Sequence, residues 1–247
     1  MAELRCHAVV LRVRSLGEAD KMVTLLTREV GIVTAVARGS RKTKSKFSAL
    51  VEPLTLGRFL LHQGRTLYTF IQGERIKSYA KLNSDLERLA YAQYFCELCE
   101  RTLLEVRPAD AMFMLLLTAL EALEQDKDPA RVARCFEISL LDELGIRPAL
   151  EGCRSCGSTS GSYRFDPTEG ILLCATCPHP VESYPVSAPT VATTKRLLEF
   201  GFHKLSVCVI PKAVGQEIHR ISMDMLTHSL GVTNLKSLDF LLKTGFI

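Results

Sequence analysis

The sequence predicts a multidomain α+β protein, with a small N-terminal β-barrel followed by an α-helical domain that carries an inserted metal-binding module. Three observations support this fold class. Apolar residues alternate as in strands up to about residue 80, they recur at helical spacing after residue 84, and two C-x-x-C pairs lie in a stretch rich in Cys, Gly and Pro. We therefore predict domains at residues 1–80 and 81–247, with the insertion at about 148–182.

Five strand-like segments lie within the first 80 residues. Each is rich in β-branched or alternating apolar residues, and turn residues such as Gly17, Gly31 and Gly64 separate them. The segments are 6–14, 21–27, 32–37, 54–61 and 66–71. Five short strands joined by tight turns favour a five-stranded barrel of the OB type, and an SH3-like barrel is the main structural alternative.

Helical spacing of apolar residues begins after Ser84. We expect Ser84 and Glu87 to form a capping box at the start of the first helix, and Arg107-Pro108 to end it. Four further helices are predicted, the first of them from its wide apolar face and the other three also from an early proline or a glycine after the last turn. They are predicted over about 109–125, from Asp128-Pro129 to Gly145, over 188–200 before Gly201, and over about 211–230 before Gly231.

A basic run lies between the third and fourth predicted strands. Residues 38–46 contain five cations, no acid and no large apolar side chain. Residues 1–80 carry 14 Lys/Arg against 6 Asp/Glu, a net charge of +8, whereas residues 81–247 carry 17 against 21, a net charge of −4. A basic loop on a small barrel is suited to holding a phosphate backbone, and the charge asymmetry favours this function over a merely solubilising loop.

Aromatic residues of the barrel offer a second way to hold a nucleic acid, by stacking on bases. The candidates are Phe47, Phe59, Tyr68, Phe70 and Tyr79. Their alternating strand positions predict that most are barrel core and that at most one or two are exposed. Backbone charge should therefore dominate over stacking.

Four cysteines have the spacing of a structural zinc site. Cys153-x2-Cys156 and Cys174-x2-Cys177 are separated by 17 residues, and the chain between them resembles a small hairpin. Four thiolates would complete the tetrahedral coordination of one Zn²⁺ and leave no position for a substrate, so the metal would be structural. A metal-free motif or a pair of disulfides is the alternative.

The other five of the nine cysteines are predicted to be structural. Cys96-x2-Cys99 lies in a helical pattern without a second pair, which indicates two small core residues. An odd cysteine count, the lack of a secretory signal and the lack of a bilayer-length apolar run predict reduced thiols in the cytoplasm.

The sequence contains no recognisable catalytic motif. It has no P-loop, G-x-G-x-x-G, G-x-S-x-G or H-E-x-x-H, and its six histidines form no ligand-spaced pair. Glu18 and Asp20 lie together at a predicted turn, but two acids on a turn do not make a general acid/base pair. We therefore predict that the protein is not an enzyme.

Taken together, these residues resemble the bacterial RecO family of recombination mediators. The basic run within Val36–Phe47 is similar to the basic loop of that family, and Gly17–Lys21 is similar to its first hairpin. The cysteine quartet resembles the zinc insertion of many members, and Leu235–Leu238 resembles the closing segment. The resemblance extends over nearly the whole chain.

The resemblance implies a non-catalytic role in DNA repair. It implies an N-terminal OB-fold, a helical C-terminal domain with one structural Zn²⁺, and binding to single- and double-stranded DNA with annealing of complementary strands. It also implies partnership with RecR, contact with single-stranded DNA-binding protein (SSB) and loading of RecA. DNA contact is carried over to the loop cations Arg38, Arg41, Lys42, Lys44 and Lys46.

Two other functions remain open at this point. The protein could be an RNA-binding OB protein, or an adaptor whose helical and zinc domains bind other proteins. The adaptor leaves the +8 charge of residues 1–80 unexplained. A zinc enzyme would need an open metal position, which a complete four-sulfur site lacks.

Overall fold

The computed structural model describes residues 3–103 and 108–247. They form two compact units, Met1–Leu120 and Glu121–Ile247. The first unit extends to Leu120, well past residue 80, so the boundary predicted at residue 80 stays a prediction. Among the described helices, none is long and apolar enough to cross a bilayer.

The first unit contains a closed barrel of five strands. They are β1 (Glu3–Leu16), β2 (Asp20–Thr27), β3 (Gly31–Ala37), β4 (Thr55–Gln63) and β5 (Tyr68–Ser78). The order around the barrel is β1-β2-β3-β5-β4, and β1 pairs with β4 to close it. Only the β3–β5 pairing is parallel among the described strands of this barrel. This arrangement confirms the OB-type prediction over the SH3-like alternative.

The barrel core is packed around Phe59. Its ring meets Phe70 edge to face, with the ring centroids 5.4 Å apart. The ring also covers two glycines, since a Cβ placed on Gly57 or Gly73 would lie 2.6 Å from it. Glycine at these two positions therefore makes room for a large aromatic side chain in a narrow barrel.

We expect Gly73→Ala to destabilise the protein by about 1–3 kcal/mol, because the added methyl group overpacks the core against Phe59. Urea unfolding would measure the change. A matched test adds Phe59→Leu, which removes the ring that the methyl group would meet. The cost of Gly73→Ala should then fall, and an unchanged cost in that background would contradict the packing explanation.

The helices follow the predicted pattern except at the first N-terminus. α1 spans Leu86–Thr102 and α2 spans Asp110–Gln125. Asp85 caps α1 by accepting a hydrogen bond from the backbone N–H of Arg88, whereas the Ser84 hydroxyl donates to the carbonyl of Lys81. The predicted Ser84 cap was therefore wrong by one residue, because a short 3₁₀ turn at Ala80–Ser84 precedes the helix. Arg107, in the predicted end of the helix, lies outside the described residues.

The second unit is built on four helices. They are α3 (Pro129–Glu143), α4 (Ala188–Phe200), α5 (Lys212–Leu230) and α6 (Lys236–Thr244). Asp128 caps α3 and accepts from the backbone N–H of Arg131, with Pro129 at the first turn, and Gly231 ends α5 in a left-handed conformation. These signals confirm the sequence predictions. Helix α6 was not predicted from the sequence.

A four-stranded sheet is inserted between α3 and α4. Its strands are β6 (Ala149–Cys153), β7 (Tyr163–Asp166), β8 (Ile171–Cys174) and β9 (Tyr184–Val186), in the order β6-β8-β7-β9. The predicted hairpin corresponds to β7 and β8, which pair antiparallel. At the turn of this hairpin, a Cβ on Gly170 would lie 2.8 Å from the Met225 side chain, so the turn rests directly on α5.

Candidate nucleic-acid interface and metal centre

The basic run forms a loop of tight turns that begins directly after β3. Backbone hydrogen bonds from Lys42 N to Gly39 O (3.1 Å) and from Ser45 N to Lys42 O (3.0 Å) fold it back on itself. Its five cations, Arg38, Arg41, Lys42, Lys44 and Lys46, are all exposed. The loop therefore presents a short, folded basic surface at one end of the barrel.

The turn between β1 and β2 holds one side of this loop. Asp20 Oδ1 accepts a hydrogen bond from the backbone N–H of Gly39 at 2.7 Å. The carbonyl of Ala19 accepts from the backbone N–H of Arg41 at 3.0 Å, and the carbonyl of Gly17 accepts from the Arg41 guanidinium at 2.8 Å. In the sequence, Asp20 belongs to the Gly17–Lys21 hairpin segment and is one of two acids rejected as a catalytic pair. Asp20 and Gly39 are 19 positions apart in the chain, so local sequence patterns do not reveal their hydrogen bond.

Apolar residues at the C-terminal end of the loop anchor its other side. Phe47 and Val51 are buried in the barrel core, and the Phe47 ring lies 6.0 Å from the Phe70 ring between centroids. The Lys46 ammonium donates to the carbonyl of Ile71 at 3.4 Å and lies 5.0 Å from the centre of the Phe47 ring. The loop is therefore fixed at both ends, so its ordering on a ligand should cost little conformational entropy.

The five cations differ in their surroundings. Arg41 and Lys46 donate to backbone carbonyls, as described above. Within residues 3–103 and 108–247, no hydrogen bond or ion pair engages the side chain of Arg38, Lys42 or Lys44. We refer to these three residues as the open cations. Their charges face solvent without a neutralising carboxylate, which suits contact with phosphate groups.

The barrel aromatics are mostly core, as predicted. Phe47, Phe59, Phe70 and Tyr79 are buried, and Tyr68 is half-buried. Base stacking on four of the five side chains would require the barrel to open. Stacking on these buried rings is therefore a poor candidate for nucleic-acid contact, whereas the exposed charges of the loop are a good one.

The four predicted cysteine ligands come together in the inserted sheet. Cys153 ends β6 and Cys174 ends β8. Each is followed by a tight turn that brings the second cysteine of the pair close to the first. Gly157 N donates to Cys153 O at 2.8 Å with Gly157 at φ +74°, and Cys177 N donates to Cys174 O at 3.3 Å. The four Sγ atoms all lie within 4.8 Å of one another.

This geometry fits a tetrahedral metal ion bound by sulfur. Zinc–thiolate bonds of about 2.3 Å place the sulfurs of a tetrahedral site about 3.8 Å apart. Cys156 Sγ and Cys174 Sγ are 3.6 Å apart. The Thr176 hydroxyl, 3.1 Å from Cys174 Sγ, is the main cause that lowers the pKa of Cys174 to about 6. A backbone hydrogen bond from Cys174 is the main cause that also lowers the pKa of Cys153. A cluster of four thiols, two of which have a lowered pKa, is a donor set that soft or borderline divalent metals prefer.

The other C-x-x-C pair is unsuited to this chemistry. Cys96 and Cys99 are both buried in α1, and burial raises the pKa of Cys96 to about 12 and that of Cys99 well above its usual value. Cys99 Sγ lies 3.8 Å from the Met112 sulfur. Protonated thiols in apolar packing confirm that these cysteines belong to the core.

The second unit also contains a buried ion-pair cluster that was not predicted from the sequence. Glu137 on α3 is fully buried, and its Oε1 accepts hydrogen bonds from Arg134 at 2.7 Å and from His219 Nδ1 on α5 at 2.8 Å. Glu137 and Arg134 are three residues apart on one helix, which was the available signal. The cluster joins two core helices, so its role is in the packing of this unit.

A closed OB-type barrel with an exposed basic loop, together with a helical unit bearing a four-thiol sheet module, defines the OB-fold class of multidomain proteins. Comparison with family models narrows this class. The family described as "Recombination protein O N terminal" matches residues 1–79, and "Recombination protein O C terminal" matches residues 83–239. The chain therefore belongs to the recombination protein O (RecO) family.

Curated relatives agree with this assignment over nearly the full chain. A protein of Symbiobacterium thermophilum named DNA repair protein RecO is 39% identical over 248 residues, covering 98% of this chain and 97% of the relative. Proteins of the same name from Alkaliphilus metalliredigens and Pelotomaculum thermopropionicum are 32% and 35% identical, covering 96% and 98% of this chain and 97% and 94% of the relatives. Family membership supports a role in DNA repair and recombination.

Proposed function

We propose that this protein is a non-catalytic recombination mediator that binds single- and double-stranded DNA and anneals complementary strands. The observation that carries the proposal is the anchored loop of five exposed cations at one end of an OB-type barrel. Residues 1–80 are the proposed DNA-binding domain, with Arg38, Arg41, Lys42, Lys44 and Lys46 as the phosphate contacts.

Annealing by such a surface is electrostatic. Two complementary strands repel each other through their phosphates, and a basic surface that holds both strands lowers this repulsion. Phosphate contacts position a strand without reading its sequence, so base pairing alone would select the correct partner. A reaction of this kind breaks no covalent bond and needs no catalytic side chain.

The protein partners are part of the same proposal. We propose that the protein acts with RecR to help RecA load onto single-stranded DNA coated with SSB, in the cytoplasm and in association with the nucleoid. The relatives named DNA repair protein RecO support a role in DNA repair, and these partners are the proposed way in which that role is carried out. The helical domain, proposed at residues 81–247, offers the remaining surface for such partners.

The inserted module, proposed at about 148–182, would hold one structural Zn²⁺ through Cys153, Cys156, Cys174 and Cys177. When bound, the ion supplies a cross-link between the turns that follow β6 and β8. The chain's own contribution is the pair of turns that direct four sulfurs to one point.

The direct test is annealing of complementary oligonucleotides coated with the cognate SSB. We expect the wild-type protein to accelerate annealing, and the triple variant with Arg38, Lys42 and Lys44 changed to Ala to lose most of this acceleration. If the triple variant loses its annealing activity while its circular dichroism spectrum stays unchanged, the result would support the proposed mediator function.

A competition experiment distinguishes the proposed mediator function from the RNA-binding alternative. Unlabelled DNA and RNA strands of the same sequence would compete for the protein. Preferential displacement by RNA, or failure of the wild-type protein to anneal coated strands, would contradict the proposal and favour the RNA-binding or adaptor function.

A further inference from the structure

Asp20 is an acid at the base of a basic site. Its carboxylate lies 2.7 Å from the backbone nitrogen of Gly39, one residue from Arg38 and two from Arg41. By charge alone, a carboxylate there weakens the attraction of the loop for phosphate. Any benefit from Asp20 must therefore come from geometry.

The hydrogen bond of Asp20 falls where the loop changes direction. Gly39 has φ +64°, a left-handed conformation, and it directly follows Arg38 in the chain. A carboxylate that accepts from a backbone N–H makes one of the stronger hydrogen bonds in proteins. Together with the bonds from Arg41 to Ala19 O and Gly17 O, it fastens the start of the loop to the β1–β2 turn.

We propose that Asp20 is a positioning residue of the DNA-binding loop. Its carboxylate holds the Gly39 N–H so that Arg38 and the other open cations point together toward one strand. An anionic side chain thereby promotes the binding of a polyanion. This inference rests on the proposed function, because it concerns the same loop.

The neighbouring Glu18 supplies a matched control. It lies in the β1–β2 turn, two residues before Asp20, and it is exposed. Among the described residues, none makes a hydrogen bond or ion pair with its side chain. Removal of either acid changes the net charge equally, but only removal of the Asp20 carboxylate deletes the bond to Gly39.

The test compares Asp20→Ala, Asp20→Asn and Glu18→Ala by titration of a fluorescent single-stranded oligonucleotide over a range of salt concentrations. If Asp20→Ala displaces one cation from its phosphate, we expect binding about 5-fold weaker at about 0.1 M salt and a log–log salt slope smaller by about 0.7. Asp20→Asn keeps an oxygen acceptor for Gly39 and should bind at least as tightly as wild type. Glu18→Ala should bind slightly more tightly than wild type, because it removes a negative charge.

Amide hydrogen exchange at Gly39, measured without DNA, reports directly on the hydrogen bond between Gly39 and Asp20. We expect this amide to exchange faster in Asp20→Ala than in wild type, while the strands of the barrel keep their protection. Binding by Asp20→Ala as tight as that of Glu18→Ala would overturn the positioning role. If the open-cation variant also binds like wild type, the proposed function of the loop fails as well, so the two failures can be told apart.

Discussion

Removal of the three open cations should weaken binding to single-stranded DNA by about 100-fold at about 0.1 M salt. Each phosphate contact on a single strand contributes about 0.7 to the log–log salt slope, so three contacts account for a slope of about 2. We therefore expect the variant with Arg38, Lys42 and Lys44 changed to Ala to show a slope smaller by about 2, with the two affinities converging toward 1 M salt. Fluorescence anisotropy at several salt concentrations would measure both quantities.

A matched variant decides whether position or net charge matters. Arg5, Arg75 and Lys81 are exposed cations of the same unit outside the loop, and their change to Ala removes the same total charge. We expect this control to retain most of the affinity and slope. Equal losses in the two variants would show that the protein binds DNA through its overall charge, and the loop would lose its assigned role.

Sequence patterns were sufficient for features that depend on local spacing. Alternation in residues 1–80 predicted all five barrel strands, and Asp128-Pro129 and Gly231 marked helix ends that the structure confirms. The cysteine quartet was equally readable, because each C-x-x-C closes its own turn and the hairpin between the pairs brings the two turns together.

Features that depend on distant partners were not readable in this way. Ser84 and Asp85 are both good caps, and the 3₁₀ turn before α1 decided between them. The strands β6 and β9 are too short to be recognised from their sequences, and they are defined by their pairing with β8 and β7. The same holds for the role of Asp20, because its hydrogen bond to Gly39 forms only when the barrel folds and brings the two residues together.

Loss of a proposed metal ligand should unfold the inserted sheet. The four strands of this module are only three to five residues long, and pairing of such short strands provides little stability without a cross-link. We expect the purified protein to contain one zinc per chain by mass spectrometry under native conditions, and Cys174→Ala to contain little or none. Limited proteolysis should then cut the variant within residues 154–162, where wild type is resistant.

The barrel should be spared by this change, because it lies in a separate compact unit with its own core. In the Cys174→Ala variant, we expect protection from hydrogen exchange to disappear in β6–β9 and to persist in β1–β5. The affinity for the bare oligonucleotide should fall less than 3-fold, a change of about 0.6 kcal/mol. Cys208→Ala is the control: this half-buried cysteine lies outside the quartet, so the variant should keep its zinc. Zinc retained by Cys174→Ala would contradict the ligand assignment, and zinc release without any decrease in protection would contradict a structural role for the metal.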